Sequence, residues 1–297
     1  MNNKRISFTR LNCDTLPNQR VVLDPVRQRV KIGSGKSQIC ISNVSVAYFR
    51  RPLLSLQQYH FGKFHDYVWT EWTAFLRTLY AIVGDRWFNH PNDILLAEDK
   101  SRQLKLAHDI GFNVPETFIT NDPTMIKDLQ SDIALVAKPM KQALIESDDT
   151  TSTIFTSQID ELVDDDFASV PLCPVIFQRL IPKRDDIRVT VVGSQVFAVA
   201  IHSQAFEETK VDWRRGSNPN LCHEIIDLPE QIAQRCIRIV QAQQLKFGAI
   251  DLVRDRHDEF WFLECNPNGQ WAWIENRTGL PIAAAIATEM LHVATLR

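Results

Sequence analysis

A chain of 297 residues that is 44% hydrophobic can bury a sizeable core and is long enough for two or so domains. Its 33 basic and 36 acidic residues are well mixed and leave a formal charge of -3, so the composition carries no nucleic-acid footprint. Six cysteines without a CxxC pair argue against a zinc ribbon or a secreted disulfide framework and read as free thiols. No run reaches the ~20 apolar residues of a membrane helix. The start MNNKRISFTR lacks the apolar core of a signal peptide. The expectation is a cytoplasmic protein with no nucleic-acid or membrane partner.

The first 60 residues read as short strands: ISFTRLN, VVLDP, RVKI, QICIS and SVAYF. The link GSGKS resembles a phosphate loop, but the glycine such a loop needs upstream is Val30, so a hairpin turn between RVKI and QICIS is expected. Residues 61–83 switch to helical spacing, with Phe64, Val68, Phe75, Leu79 and Ile82 near one stripe and Gly84 as the stop. A second helix runs from Asp99, a candidate N-cap, to Ile110, with Gly111 after it. Then come strand ETFIT, a helix over Asn121 to Gln130 and strand ALVAK. Residues 141–170 are polar and read as strands with a mobile loop and an acidic patch, Asp164-Asp165-Asp166. From 174 the pattern strengthens: PVIFQRLI as strand and connector, two strands about Gly193-Ser194, and an amphipathic helix from Leu228 to Leu245. The hairpin AIDLVR/EFWFLEC and a closing helix from Ile282 follow. The expected class is α+β (α/β) with a mostly antiparallel C-terminal sheet.

The hairpin carries the chemistry. If Arg254 pairs with Trp261, Asp251 faces Glu264, and alternation puts Asn266 on the side of Glu264. Two carboxylates opposed across strands, among Ile, Leu, Phe and Trp, are destabilising unless something compensates. A hard cation such as Mg²⁺ suits that oxygen set. A shared proton, or salt bridges with Arg188 or Arg254, are the other solutions. Lys138 ends an apolar strand, Arg188 interrupts one, and Arg214-Arg215 lie beside a loop. A guanidinium such as that of Arg188 clamps phosphoryl oxygens in two places. With the acidic hairpin, these cations describe a nucleoside triphosphate site.

The order VAKP, FQRLIPKRDDIRV, DWRR, AIDL, FLECNPNGQW resembles the ATP-grasp superfamily. Within it the chain is similar to peptide maturases of the microviridin type, the graspetide synthetases, through Tyr48-Phe49-Arg50-Arg51-Pro52, Asp212 to Arg214, and Glu264 to Trp271. The likeness spans about residue 44 to 297. It implies two α+β subdomains gripping ATP, at 96–180 and 181–297, behind an N-terminal domain at 1–95. It further implies ATP phosphates held by Lys100 and Lys138, and adenine contacts from Gln178, Arg179, Leu180, Ile181 and Lys183. Asp186 or a neighbour would reach the ribose, and Arg188 the γ-phosphate. Arg214 would touch phosphate or substrate, and Mg²⁺ would sit on Asp251, Glu264 and Asn266. Two departures stand out: the first βα unit of relatives has no counterpart here, so a shortened front domain is expected, and the stretch KQALIESDDTTST lacks the glycines of many phosphate-covering loops.

The chemistry implied is phosphorylation of an Asp or Glu side chain on a ribosomal precursor peptide, leader plus core. Attack by a hydroxyl or amine then closes an ω-ester or ω-amide. Positioning and charge neutralisation suffice for such a transfer, and no Ser-His-Asp or Cys-His arrangement is evident; Cys222-His223 reads as structural. Arg50, Arg51 and the acidic 160–166 region are candidate peptide contacts, and the resemblance implies a homodimer. A glutamate ligase acting on a protein tail shares the ATP site, and a catalytically silent ATP- and leader-binding module is the third reading.

Overall fold

The computed structural model describes residues 7–34, 38–50, 54, 59–141, 144–146, 151–159, 164–215 and 220–295. The chain divides into two compact units, Met1–Asp93 with Ala287–Arg297, and Ile94–Ile286.

In the first unit a 3-10 turn, Cys13–Asn18, precedes β1 (Val21–Asp24), β2 (Arg29–Ile32) and β3 (Ile39–Cys40), an antiparallel meander. Lys31 faces Cys40 and Ile32 faces Ile39, which joins RVKI and QICIS as expected; turn residues 35–37 lie outside the described residues. Two expected strands are absent. Ser7 to Asn12 has no regular structure, and SVAYF makes a single bridge, Ala47 to Trp87. Helix α1 (His65–Val83) ends at Gly84, whose φ of 56° suits glycine. Its buried face is Leu76, Leu79 and Val83, not the stripe through Phe64, which lies before the helix and is exposed. That face packs on Leu16, Val30, Ile32 and Ile41. Period counting misjudges this helix because Trp72, Phe75 and Tyr80 flank the seam on either side and are only half-buried.

The next elements are α2 (Pro91–Ala97), unforeseen but started by a proline whose φ suits a first turn, and α3 (Lys100–Ile110). Asp99 caps α3 by accepting from the Arg102 backbone N–H at 3.0 Å, and Gly111 closes it at φ 101°. Then follow β4 (Thr117–Thr120), α4 (Pro123–Asp132, capped by Asp122), β5 (Leu135–Lys138), β6 (Leu144–Glu146), β7 (Thr151–Thr153) and β8 (Ser157–Ile159). The acidic patch, expected in a region of strands with a mobile loop, instead starts a helix, α5 (Asp164–Ser169). With β9 (Val175–Arg179), β4, β5 and β8 form an antiparallel sheet, β4-β9-β5-β8, packed on Ile126 and Phe167, while β6 and β7 pair as a separate two-stranded sheet.

A five-stranded antiparallel sheet follows, ordered β12-β11-β10-β13-β14, from β10 (Lys183–Val192), β11 (Gln195–Ile201), β12 (His223–Ile225), β13 (Phe247–Asp255) and β14 (Phe260–Asn266). Helix α6 (Glu230–Ala242) buries Ile232, Cys236, Ile239 and Val240. Its approach to the sheet is close enough that a Cβ on Gly248 would lie 2.8 Å from Val240 Cγ2. Helices α7 (Ala272–Thr278) and α8 (Ile282–Thr295) follow; α7 is the third helix, after α2 and α5, that period counting overlooks. All six cysteines are free thiols. Among the described residues no helix is long and apolar enough to cross a membrane.

Candidate functional site

The expected pairing of Asp251 with Glu264 is present, and so are Ile250 with Cys265 and Ala249 with Asn266. Toward the turn the register slips. Leu252 faces Phe262 and Arg254 faces Phe260, not Trp261, so Leu263 is an extra residue on β14. This bulge answers a conflict in the sequence. Strict alternation would put Phe260, Phe262 and Glu264 on one face. The bulge reverses the phase: Phe262 is fully buried against Phe112, while Leu263 and Glu264 line a cleft.

A row of charge crosses three strands there. Arg188 on β10 faces Asp251 on β13, which faces Glu264 on β14. Arg188 Nη1 donates to both Asp251 oxygens at 2.8 Å, and its Nη2 to the Gln270 carbonyl at 3.2 Å. Beyond the edge strand, Lys100 Nζ lies 3.9 Å from Glu264 Oε2 and donates to the Pro139 carbonyl at 2.8 Å. Asn266 Nδ2 donates to Asp251 Oδ2 at 3.2 Å and Glu264 Oε1 at 3.0 Å. The two carboxylates are driven apart in protonation. Burial pushes Asp251 up, helped by the charge of Glu264 and only partly opposed by Arg188. Glu264 is held below its ordinary value although burial pushes the other way, because Lys100, Asn266, Lys138 and Arg214 favour its charge.

The loop after β14 closes on this row. A Cβ on Gly269 would lie 2.3 Å from Ala249 Cβ and 2.9 Å from Arg188 Nη2. Only glycine admits that approach, which lets Gln270 offer its carbonyl to Arg188.

Across the cleft stand groups from the four-stranded sheet. Lys138 ends β5, and its ammonium is pulled down to about 8, by burial first and then by Lys100 and Arg214, against the pull of Glu264 and Asp251. Gln178 is buried and donates to Thr117 Oγ1 at 2.7 Å, while Arg179 is half-exposed. Lys183 donates to both oxygens of Asp186, at 2.8 and 2.7 Å, and to the Val211 carbonyl at 3.1 Å. Burial nevertheless raises the Asp186 carboxyl. Asp212 takes Arg214 Nε and Nη2 at 2.8 and 2.6 Å, a fork that leaves Nη1 uncommitted to it. Ten of the expected residues line this one cleft with Glu264: Lys100, Lys138, Gln178, Arg179, Leu180, Ile181, Lys183, Asp186, Arg214 and Asp251. Arg188 and Asn266 join through their bonds to Asp251 and Glu264.

Sequence reasoning missed Val136, Ile154, Thr156, Val211 and Trp213, which also line the cleft. Val136 was readable, two residues before Lys138 on one strand face. Thr156 was not: its backbone N–H donates to Asp212 Oδ2 at 3.1 Å across 56 positions. Arg50 lies in the other unit, its Nη1 donating to the Tyr48 hydroxyl at 3.4 Å. Arg51, Pro52 and 160–163 lie outside the described residues, as do positions 142–143 and 147–150 of the glycine-free stretch.

The oxygen set fits a hard divalent cation. Asp251 and Glu264 are each about one-fifth exposed to the cleft. A half-turn of the Asn266 amide would bring its oxygen where its nitrogen now bridges them.

A family model described as the RimK-like ATP-grasp domain matches residues 97–290. The chain belongs to the RimK-like ATP-grasp family. As a member it is an ATP-dependent ligase that forms ADP and works with ATP and Mg²⁺. It is 24% identical over 218 residues to a probable alpha-L-glutamate ligase of Saccharophagus degradans, covering 72% of this chain and 69% of the other. Two solved structures resemble nearly all of it. One is a RiPP-associated ATP-grasp ligase of Chryseobacterium gregarium in complex with ADP and a leader and core peptide. Its TM-score is 0.85 at 25% identity, covering 96% of this chain and 88% of the other. The second is the macrocyclase MdnC of Microcystis aeruginosa MRC bound with precursor peptide MdnA. Its TM-score is 0.82 at 25% identity, covering 96% and 90%.

Proposed function

We propose that this ligase matures a ribosomally made precursor peptide, closing ω-ester or ω-amide links between its side chains. One observation carries the reading: likeness to peptide-bound ligases extends over 96% of the chain, well beyond the ATP-grasp domain at 97–290. The glutamate-ligase likeness covers 72% and favours addition of amino acids to a tail as the second reading.

In this scheme Gln178 to Lys183 grip the adenine, with Asp186 near the ribose, and Lys100 and Lys138 hold phosphates. Asp251, Glu264 and Asn266 would hold Mg²⁺, which would supply neutralisation of phosphate charge in the transfer. A substrate carboxylate takes the γ-phosphoryl group and ADP leaves. Arg188 steadies the transferred group, and Arg214, already aligned by Asp212, receives the substrate acid through its remaining nitrogen. A peptide hydroxyl or amine then attacks the acyl carbon, loses its proton, and phosphate departs. Lys138 serves as a cation because the phosphates restore the charge that burial disfavours. The same reading divides the chain at about 95 and 180, has Arg50, Arg51 and the 160–166 region meet the peptide, and makes the protein a cytoplasmic homodimer.

The test is to incubate the protein with ATP, Mg²⁺, free glutamate and the small peptide encoded beside its gene, then weigh the product. Loss of ~18 Da per link, one water, supports maturation. Gain of whole amino acids supports the tail ligase, and an unchanged mass with nucleotide bound supports a silent binding module.

A further inference from the structure

Gln103 is 3% exposed and lies one helical turn after Lys100 on α3. Its side-chain amide treats one strand residue as a neighbouring strand would. The Cys265 N–H donates to Gln103 Oε1 at 2.7 Å, and Gln103 Nε2 donates to the Cys265 carbonyl at 2.9 Å. The second Nε2 hydrogen goes to the Ala97 carbonyl at the end of α2. Both donors and the acceptor of a buried amide are thus used.

Cys265 stands between Glu264 and Asn266 on β14, the edge strand of its sheet. An edge strand presents unpaired N–H and C=O groups on its outer side. Two groups from the chain before β4 cover them here. The Phe262 N–H donates to the Asn113 carbonyl at 2.8 Å, and Gln103 takes Cys265. The spacing of three between these outward residues, where a regular strand has two or four, is the mark of the bulge.

We propose that Gln103 is a positioning residue that completes the outer edge of β14 between two metal-facing side chains and so sets α3, with Lys100, against Glu264 and Asn266. This rests on the magnesium reading of Asp251, Glu264 and Asn266. Gln103 touches neither metal nor phosphate. It fixes the peptide planes on either side of Cys265, hence the directions of the flanking side chains, as outer partners of metal ligands do. An apolar residue of equal size would fill the space and leave the Cys265 N–H, the Cys265 carbonyl and the Ala97 carbonyl unpaired.

The experiment is calorimetric titration of a non-hydrolysable ATP analogue into the full chain across a range of Mg²⁺ concentrations, and again without metal. In Gln103→Met the Mg²⁺ concentration giving half-maximal enhancement of nucleotide binding should rise about tenfold. Binding without metal, which also draws on the connector and Lys138, should weaken by a clearly smaller factor. An unshifted Mg²⁺ midpoint, or an equal loss with and without metal, overturns the proposal. A wild-type protein whose nucleotide binding ignores Mg²⁺ overturns both this inference and the reading beneath it. Hydrogen exchange on the wild type tests the contact with no substitution: the Cys265 amide should be as protected as its paired strand neighbours. Exchange at the rate of an exposed loop defeats the proposal.

Discussion

The five-stranded sheet is centred on long strands, ten residues in β10 and nine in β13, whereas strands of the four-stranded sheet run three to five residues. On the long strands Arg188, Asp251 and Glu264 face one another by register alone. On the short ones the cleft-lining groups come from strand ends. Lys138 closes β5, Arg179 closes β9, and the connector after it is tied down by backbone bonds such as Leu180 N–H to the Ala134 carbonyl at 2.8 Å. The lesson is a division of tasks. Charges that must hold still sit inside a ladder, and the lysine and arginine proposed to meet the nucleotide from this sheet sit where ladders stop.

Glu264→Gln attacks the first side of that contrast and should have the largest effect, lowering kcat about 10³-fold with the circular dichroism spectrum unchanged. Full turnover in that variant would end the assignment. On the other side, Lys138→Met should raise KM for ATP about 10- to 100-fold, the worth of one charge-assisted contact, with a smaller change in kcat. The same lysine gives a pH signature. Its ammonium in the free protein titrates at about 8, and nucleotide phosphates favour the charged form. ATP affinity should therefore fall as pH rises through 8 and beyond, and Lys138→Met should flatten that limb in a binding titration. Gly269→Ala, which drives a methyl into Ala249 and Arg188, should cost about 1–3 kcal/mol in a denaturant melt. Smallest is Ile181→Val in the connector, expected to cost about 0.5–1.5 kcal/mol of stability and to leave the pH limb unaltered.

The carboxylate pair was legible in part because its evidence is local, two apolar runs and a polar turn, although the pairing of Arg254 with Trp261 assumed for it is absent and the bulge is what brings Asp251 opposite Glu264. The bulge was less so, although the order Phe260, Phe262, Glu264 at even spacing, apolar then charged, already held a clue to a change of phase. Asp99 as N-cap, Gly84 and Gly111 as stops, and Lys138 at a strand end were likewise readable from neighbours. What stayed hidden depends on partners far along the chain. A salt bridge from Arg188 was one of the expected solutions and is present, but choosing it over the others needs a third strand 63 positions away; Gln103 meeting Cys265 needs one 162 away and had no signal. SVAYF shows the reverse failure. β-branched and aromatic composition favours a strand, but with one bridge to Trp87 there is no ladder to join.

The extra residue at Leu263 also limits how this hairpin can change length. A gain or loss within positions 256–258 lengthens or shortens a turn and leaves the facing of Asp251 and Glu264 alone. Inserting one residue on β13 opposite Leu263 would instead straighten the ladder and put Glu264 on the face that Phe262 buries. Anyone grafting this hairpin onto another scaffold can drop Leu263 together with its bulge, but cannot keep the leucine and straighten the ladder.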